Sequence, residues 1–310
     1  MGKLAYVFPG QGSQAVGMLS DLAEVSLVAE TFAAASQALG YDLWALIQSG
    51  PEEQLNQTEF TQPALLTASV ALWRVAMDQG AKAPEIVAGH SLGEYSALVA
   101  AGVIAFEDAV KLVQQRGQFM QTAVPIGQGG MAAVLGVADD QVVEICASSS
   151  TDVDIVQAVN FNSPGQVVIA GSNAALAKAI EALKAAGAKR AMPLSVSAPF
   201  HSEMMKPAAQ NMASALASVN FNAPNISIIQ NVHAQIETDP DAIRSNLVLQ
   251  MHSAVLWTKT VQNLVAEGVD QVVECGPGKV LAGLNKRIDK SISSYSVNNA
   301  DTMKSTVAEV

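Results

Sequence analysis

Ile86-Val87-Ala88-Gly89-His90-Ser91-Leu92-Gly93, with the run Glu94-Tyr95-Ser96-Ala97-Leu98-Val99-Ala100-Ala101 behind it, decides how the chain folds. The first three residues form a short apolar run of buried-strand type, and those after Gly93 are helix formers with an apolar face. Between them, Gly89-His90-Ser91-Leu92-Gly93 has the Gly-x-Ser-x-Gly spacing of a serine raised on a tight strand-to-helix turn. Side chains at 89 and 93 would collide with the strand and the helix start, so hydrogen is the tolerable substituent on either side of a strained serine. These residues alone leave two readings open: Ser91 as a nucleophile, or a glycine-rich turn without chemistry.

Toward the N-terminus, Leu4-Ala5-Tyr6-Val7-Phe8 reads as a first strand ending in the loop Pro9-Gly10-Gln11-Gly12-Ser13-Gln14. Helices are expected over 24–39, 63–79 and 106–121, the second carrying Leu65, Leu66, Val70, Leu72, Trp73 and Ala76 at helical spacing. Pro125 and the glycines at 127, 129 and 130 mark a boundary. Beyond it, strands at 131–137, 155–161, 166–170 and 191–196 and helices at 141–147 and 174–186 give a βαββαβ order, the ferredoxin-like pattern. A helix at 204–219, a strand at 226–230, helices near 241–251 and 258–267 and a strand at 271–274 resume the style of the first part. The last dozen residues are poor in large apolar side chains and are expected to fray. The fold class is therefore expected to be α/β: a large α/β-hydrolase-like domain with a parallel sheet, made from 1–126 and 197–310, and an inserted small ferredoxin-like domain over 127–196. A cleft should lie between the two.

Composition narrows the function. Of 310 residues half are hydrophobic, enough for a large core, and the formal net charge is -11, which leaves no basic field for nucleic acid or an anionic membrane. Cys146 and Cys275 stand far apart with no Cys-x-x-Cys neighbour, so neither a metal site nor a disulfide framework is expected. No stretch is long and apolar enough to span a bilayer, and the first residues have the pattern of a strand rather than a signal peptide, so a cytoplasmic protein is expected.

A serine nucleophile needs a base, and the chain has four histidines. His90 adjoins Ser91 and points the wrong way along the turn, while His233 and His252 lie in polar, loop-like surroundings. His201 follows Ser197-Ala198-Pro199-Phe200 at the expected domain junction, where its side chain can reach the cleft. A satisfied buried imidazole remains the alternative for it, as an ordinary solvated helix charge does for Arg116.

Six signatures in order resemble the malonyl-CoA:acyl-carrier-protein transacylases: Pro9-Gly10-Gln11-Gly12-Ser13-Gln14, Gly89-His90-Ser91-Leu92-Gly93-Glu94-Tyr95, Arg116 on the next helix, Asn160-Phe161-Asn162-Ser163-Pro164-Gly165-Gln166, Phe200-His201-Ser202 and Gly276-Pro277-Gly278. The resemblance spans essentially the whole chain. It implies that Ser91 attacks the thioester of malonyl-CoA with His201 as base, that the backbone N–H groups of Gln11 and Leu92 receive the oxyanion, and that Arg116 grips the free carboxylate of the malonyl group. Phe200 would disfavour branched extender units, and Asn160 and Asn162 would line the small-domain side of the cleft. In this family a main-chain carbonyl near a glutamine orients the histidine, which maps to Gln250; Ser253-Ala254 stands where the family has Asn-Pro. The implied partners are malonyl-CoA and an acyl carrier protein, whose phosphopantetheine is the acceptor, with no metal and no cofactor of the enzyme's own. Lys189-Arg190, Lys206, Lys279, Lys286, Arg287 and Lys290 are candidate basic positions for an acidic carrier. The alternatives are a serine thioesterase or esterase, a trans-acting polyketide acyltransferase, and a non-catalytic subunit that docks carriers.

Overall fold

Among the described residues, ten strands form two separate sheets in the computed structural model. It describes residues 2–196 and 198–310; Met1 and Ser197, where the sequence places the return to the large domain, lie outside the described residues. The strands are β1 (Lys3–Phe8), β2 (Ile86–Gly89), β3 (Gly129–Leu135), β4 (Val156–Ser163), β5 (Gln166–Ser172), β6 (Arg190–Pro193), β7 (Ser227–Ile229), β8 (Ile236–Glu237), β9 (Val269–Cys275) and β10 (Ser293–Val297).

The larger sheet has the order β10-β9-β1-β2-β7-β8, parallel from β10 to β7, with β8 antiparallel at one edge. Its central strand explains the unbroken apolar run of the N-terminus. Leu4, Tyr6 and Phe8 pack on one face with Leu65 and Leu72 of the helix Thr58–Asp78, while Ala5 and Val7 pack on the other with Trp257, Val261 and Leu281. A parallel strand covered on both faces has no solvent side to reserve for polar residues. The register pairs Phe8 with Gly89 and Ala88 with Ile229, so the carboxyl ends of β1, β2 and β7 finish side by side. The crevice beyond such ends is where open α/β sheets bind ligands.

The smaller sheet is antiparallel with the order β4-β5-β3-β6. The helices Asp139–Ser149 and Asn173–Ala185 cover it through a core of its own that includes Val134, Val142, Ile169, Ala179 and Leu183. This is the ferredoxin-like strand order expected from the sequence. Its edge strand β4 is covered rather than open: Val255 N–H donates to the Val159 carbonyl at 2.8 Å and the Val255 carbonyl accepts from Phe161 N–H at 3.0 Å. The segment after Gln250 is pinned there despite lacking the proline expected at 254.

The chain end corrects one expectation. Residues 300–309 form a helix, Ala300–Glu309, instead of fraying. Asn299 caps it by accepting from Thr302 N–H at 2.9 Å while Thr302 Oγ1 accepts from Asn299 N–H at 3.1 Å. Met303 and Thr306, three apart on one face, are buried.

Candidate active site

Ser91 sits between β2 and the helix Gly93–Ala100 with φ 53°, a left-handed conformation that costs a residue with a side chain on the order of 1–3 kcal/mol. The flanking glycines make the turn possible: a Cβ at Gly89 would run into the Gly93 carbonyl carbon, and one at Gly93 into the Phe8 carbonyl oxygen. Asn231, just past β7, holds the strained turn from both sides. Its Oδ1 accepts from Ser91 N–H at 2.7 Å and its Nδ2 donates to the Gly89 carbonyl at 2.6 Å.

His201 has a positive φ as well, 63°, and is 5% exposed. Its Nδ1 lies 2.8 Å from the Gln250 carbonyl, which can only accept, so Nδ1 carries the proton and Nε2 the lone pair. Nε2 therefore accepts from Ser91 Oγ–H at 2.7 Å. Burial, with the Arg116 guanidinium nearby, pulls the imidazole down to about 3 against the opposing pull of the Gln250 carbonyl. It is a neutral base at physiological pH.

Arg116, on the helix Phe106–Thr122, is not a solvated charge: it is 1% exposed. Its Nη2 donates to Ser91 Oγ at 3.1 Å and to Gln250 Oε1 at 2.7 Å, and its Nη1 donates to Gln62 Oε1 at 2.8 Å. All of these partners are neutral. A buried guanidinium that hydrogen-bonds only neutral groups beside a nucleophile has the charge and donors to receive an anion.

Gln11, Leu92, Asn160, Asn162 and Phe200 join Ser91, His201 and Arg116 around a cavity of about 190 Å³, small enough to suit a short acyl unit. Among the described residues, the N–H groups of Gln11 and Leu92 donate to no acceptor, while the Gln11 side chain is tied to Thr58 Oγ1 at 3.2 Å. Asn162 Oδ1 lies 2.8 Å from His90 Nε2, which joins the nucleophile turn to β4. His90 is thus a tie between the two sheets, and His233 bonds locally to the Gln235 N–H and Asn246. Lys206, one of the candidate basic positions, pairs with Glu203 at 3.3 Å. Cys146 and Cys275 are buried thiols. Among the described residues no group of three or more His, Cys, Asp or Glu could hold a metal ion, and no helix is long and apolar enough to cross a membrane.

Gln62, Glu94, Gln230 and Asn231 are in the site and escaped the sequence reading. Three of them had a signal: Gln230-Asn231 directly follows a strand at the carboxyl edge of the sheet, and Glu94 is an acid in an otherwise apolar helix start.

A serine on a strained turn, a neutral imidazole accepting its proton and two unpaired N–H groups beside it define a serine-dependent acyl-transfer centre. A family model described as the acyl transferase domain matches residues 5–306. The malonyl CoA-acyl carrier protein transacylase of Escherichia coli strain K12 is 57% identical over 304 residues, 98% of each chain, and that of Haemophilus influenzae is 54% identical over 301 residues, 96% of each. The crystal structure of an acyl carrier protein S-malonyltransferase from Vibrio cholerae superposes with a TM-score of 0.96 at 55% identity, covering 98% of this chain and 99% of that one. A malonyl-transacylase solved in complex with a type II PKS acyl-carrier protein gives 0.97 at 51% identity, covering 99% of this chain and all of that one. The chain belongs to the acyl transferase domain family and, within it, to the malonyl CoA-acyl carrier protein transacylases.

Proposed function

We propose that the chain transfers the malonyl group from malonyl-CoA to the phosphopantetheine thiol of an acyl carrier protein, in the cytoplasm, supplying extender units for fatty-acid synthesis. Ser91 Oγ attacks the thioester carbon as its proton passes to His201 Nε2, and the N–H groups of Gln11 and Leu92 receive the developing oxyanion. Collapse expels CoA, whose sulfur takes the proton from His201 and leaves a malonyl ester on Ser91. The carrier thiol then repeats the sequence in reverse. Arg116 binds the free carboxylate, Phe200 limits the room beside the α-carbon, and Asn160 and Asn162 face the substrate from an inserted unit at 127–196. The Gln250 carbonyl holds His201 in the required tautomer, where a hydrolase triad would place a carboxylate. No metal or cofactor of the enzyme's own takes part.

The observation that carries this reading is the buried Arg116 guanidinium 3.1 Å from Ser91 Oγ. An esterase for uncharged acyl groups has no use for a buried cation at that point. Intact-protein mass after mixing with malonyl-CoA alone, and again after adding carrier protein, tests it. A persistent malonyl adduct that carrier removes, and that Ser91→Ala does not form, is expected. Loss of malonyl-CoA to water without carrier identifies a thioesterase and refutes the transferase.

A further inference from the structure

Glu94 lies three residues after Ser91 and is 1% exposed. Its carboxylate accepts three hydrogen bonds, all from amides: Oε1 from Gln230 Nε2 at 3.0 Å, and Oε2 from Asn231 N–H at 2.9 Å and Gln250 Nε2 at 3.1 Å. A buried carboxylate held only by neutral donors is costly, so a purely structural position would favour an apolar side chain. Its partners are the residues that hold the reacting groups. Asn231 grips the Ser91 turn on both sides. Gln250 donates its second amide hydrogen to the Ser91 carbonyl at 3.0 Å, which leaves Oε1 turned toward Arg116, and its own carbonyl holds His201. Were that amide to flip, its NH₂ would face the guanidinium.

We propose that Glu94 is a positioning residue for acyl transfer: its carboxylate fixes the orientation of the Gln250 side chain and the place of the Asn231 main chain, and through them the placement of Arg116 and the Ser91 turn. The inference rests on the reading of Ser91 as the malonyl-carrying residue. The titratable side chains around Glu94 are Arg116, from the helix Phe106–Thr122, and the adjoining Tyr95; Gln230, Asn231 and Gln250 present amides to it. Burial raises the acid to about 7, partly offset by the bonds from Asn231, Gln250 and Gln230 and by Arg116. His201, at about 3, does not titrate near neutrality and is not confused with it.

The test is the single-turnover rate of Ser91 acylation by malonyl-CoA without carrier, between pH 6 and 8, for the wild type, Glu94→Gln and Glu94→Asp, with thermal unfolding confirming that each is folded. The wild-type rate is expected to fall about fivefold from pH 8 to pH 6, as one carboxylate with a pKa near 7 takes up its proton and the neutral form keeps about a tenth of the rate. Glu94→Gln keeps two acceptor bonds but not the charge, and is expected to be about 10-fold slower at pH 8 and flat with pH. Glu94→Asp, which retains a shortened carboxylate, is expected to be slower than the wild type with a displaced limb. A folded Glu94→Gln that acylates at the wild-type rate, or that keeps the wild-type limb, overturns the proposal. If Glu94→Gln does not fold, Glu94→Asp decides, and an unchanged rate and limb in it overturn the proposal. A wild type that forms no malonyl ester overturns the function reading itself and is distinguished by the absence of adduct.

Discussion

Replacing Arg116 with alanine separates what the guanidinium does for malonyl from what it does to the site. Three of its five N–H groups are engaged, two on Nη2 with Ser91 Oγ and Gln250 and one on Nη1 with Gln62. A carboxylate gripped by both terminal nitrogens therefore exchanges the Nη2–Ser91 bond for a charged one and frees Oγ for attack. Two charge-assisted hydrogen bonds in a buried site contribute about 3–5 kcal/mol, so Arg116→Ala is expected to lose roughly 10²- to 10⁴-fold in kcat/KM for malonyl-CoA. The same change acts the other way on acetyl-CoA, which has no carboxylate to release Ser91. Removing the cation also removes the largest cause, after burial, that holds His201 down, and so strengthens the base.

Competition of malonyl-CoA against acetyl-CoA at equal concentrations, read by adduct mass, gives the ratio of the two kcat/KM values directly. That ratio is expected to collapse in Arg116→Ala, with acetylation unchanged or faster; undiminished acetylation also shows that the rest of the site is intact. Arg116→Lys, which supplies charge without the planar fork, is expected to fall between the two. A folded Arg116→Ala that still prefers malonyl by the wild-type ratio would refute the carboxylate clamp.

Phe200, 7% exposed and lining the acyl cavity, is expected to set selectivity against an α-methyl group, a discrimination of about 1–3 kcal/mol. Phe200→Ala should raise the methylmalonyl-to-malonyl rate ratio by about 10- to 100-fold, and an unchanged ratio removes the ring from that role. Stability should respond to pH through two buried groups of opposite sign. His201 is lowered from 6.5 to about 3, so its contribution is present above 6.5 and is lost as pH falls through 3; Glu94 is raised from 4.5 to about 7, so its contribution is present below 4.5 and is lost as pH rises through 7. The two cancel between 4.5 and 6.5, and below 4.5 His201 acts alone. Denaturant unfolding of His201→Asn should therefore part from the wild type below about pH 6.5, with a slope of about 1.4 kcal/mol per pH unit, whereas parallel curves would show that His201 is not held neutral.

The parts of the site that were legible in the sequence lie next to features with a local signature. The Gly89–Gly93 spacing announces Ser91 because sterics demand those glycines, and β1 announces a tight turn in which the resemblance then picks out Gln11. Arg116 was legible only through resemblance: nothing in Lys111-Leu112-Val113-Gln114-Gln115-Arg116-Gly117 says that this arginine turns inward, since its burial depends on Gln62 and Gln250, 54 residues before it and 134 after it. The contacts of Glu94, Gln230 and Asn231 were illegible for the same reason, although each sits next to a local signal. Each is an ordinary polar residue until the parallel pairing of β2 with β7 brings position 94 against 230 and 231. The helix at 300–309 was missed because its cap and its two buried side chains suffice without large apolar residues.

The main-chain carbonyl behind His201 bears on why the ester at Ser91 would await a thiol rather than water. A carboxylate on Nδ1 would stabilise the imidazolium and make a stronger base; a neutral carbonyl, in a buried site next to a cation, leaves the imidazole at about 3. A base this weak discriminates among acceptors by their own acidity. A thiol, with an ordinary pKa near 8.5, gives up its proton far more readily than water at about 15.7. The same weakness applies to acylation, where malonyl would offset it: its carboxylate, seated on Arg116 as proposed, would neutralise the guanidinium that adds to burial in depressing His201, and so strengthen the base when the correct acyl group is seated. Selection for malonyl and selection against water then trace to one arrangement, the imidazole between the Gln250 carbonyl and Ser91 with Arg116 beside it. Gln250→Ala tests the link, because it leaves the carbonyl in place while removing the Oε1 that holds Arg116. Ester lifetime in water should be nearly unchanged, and malonyl-over-acetyl preference should fall by about 10-fold, the worth of one buried charged hydrogen bond. A variant that hydrolyses its ester rapidly while keeping its preference would break the argument at that residue.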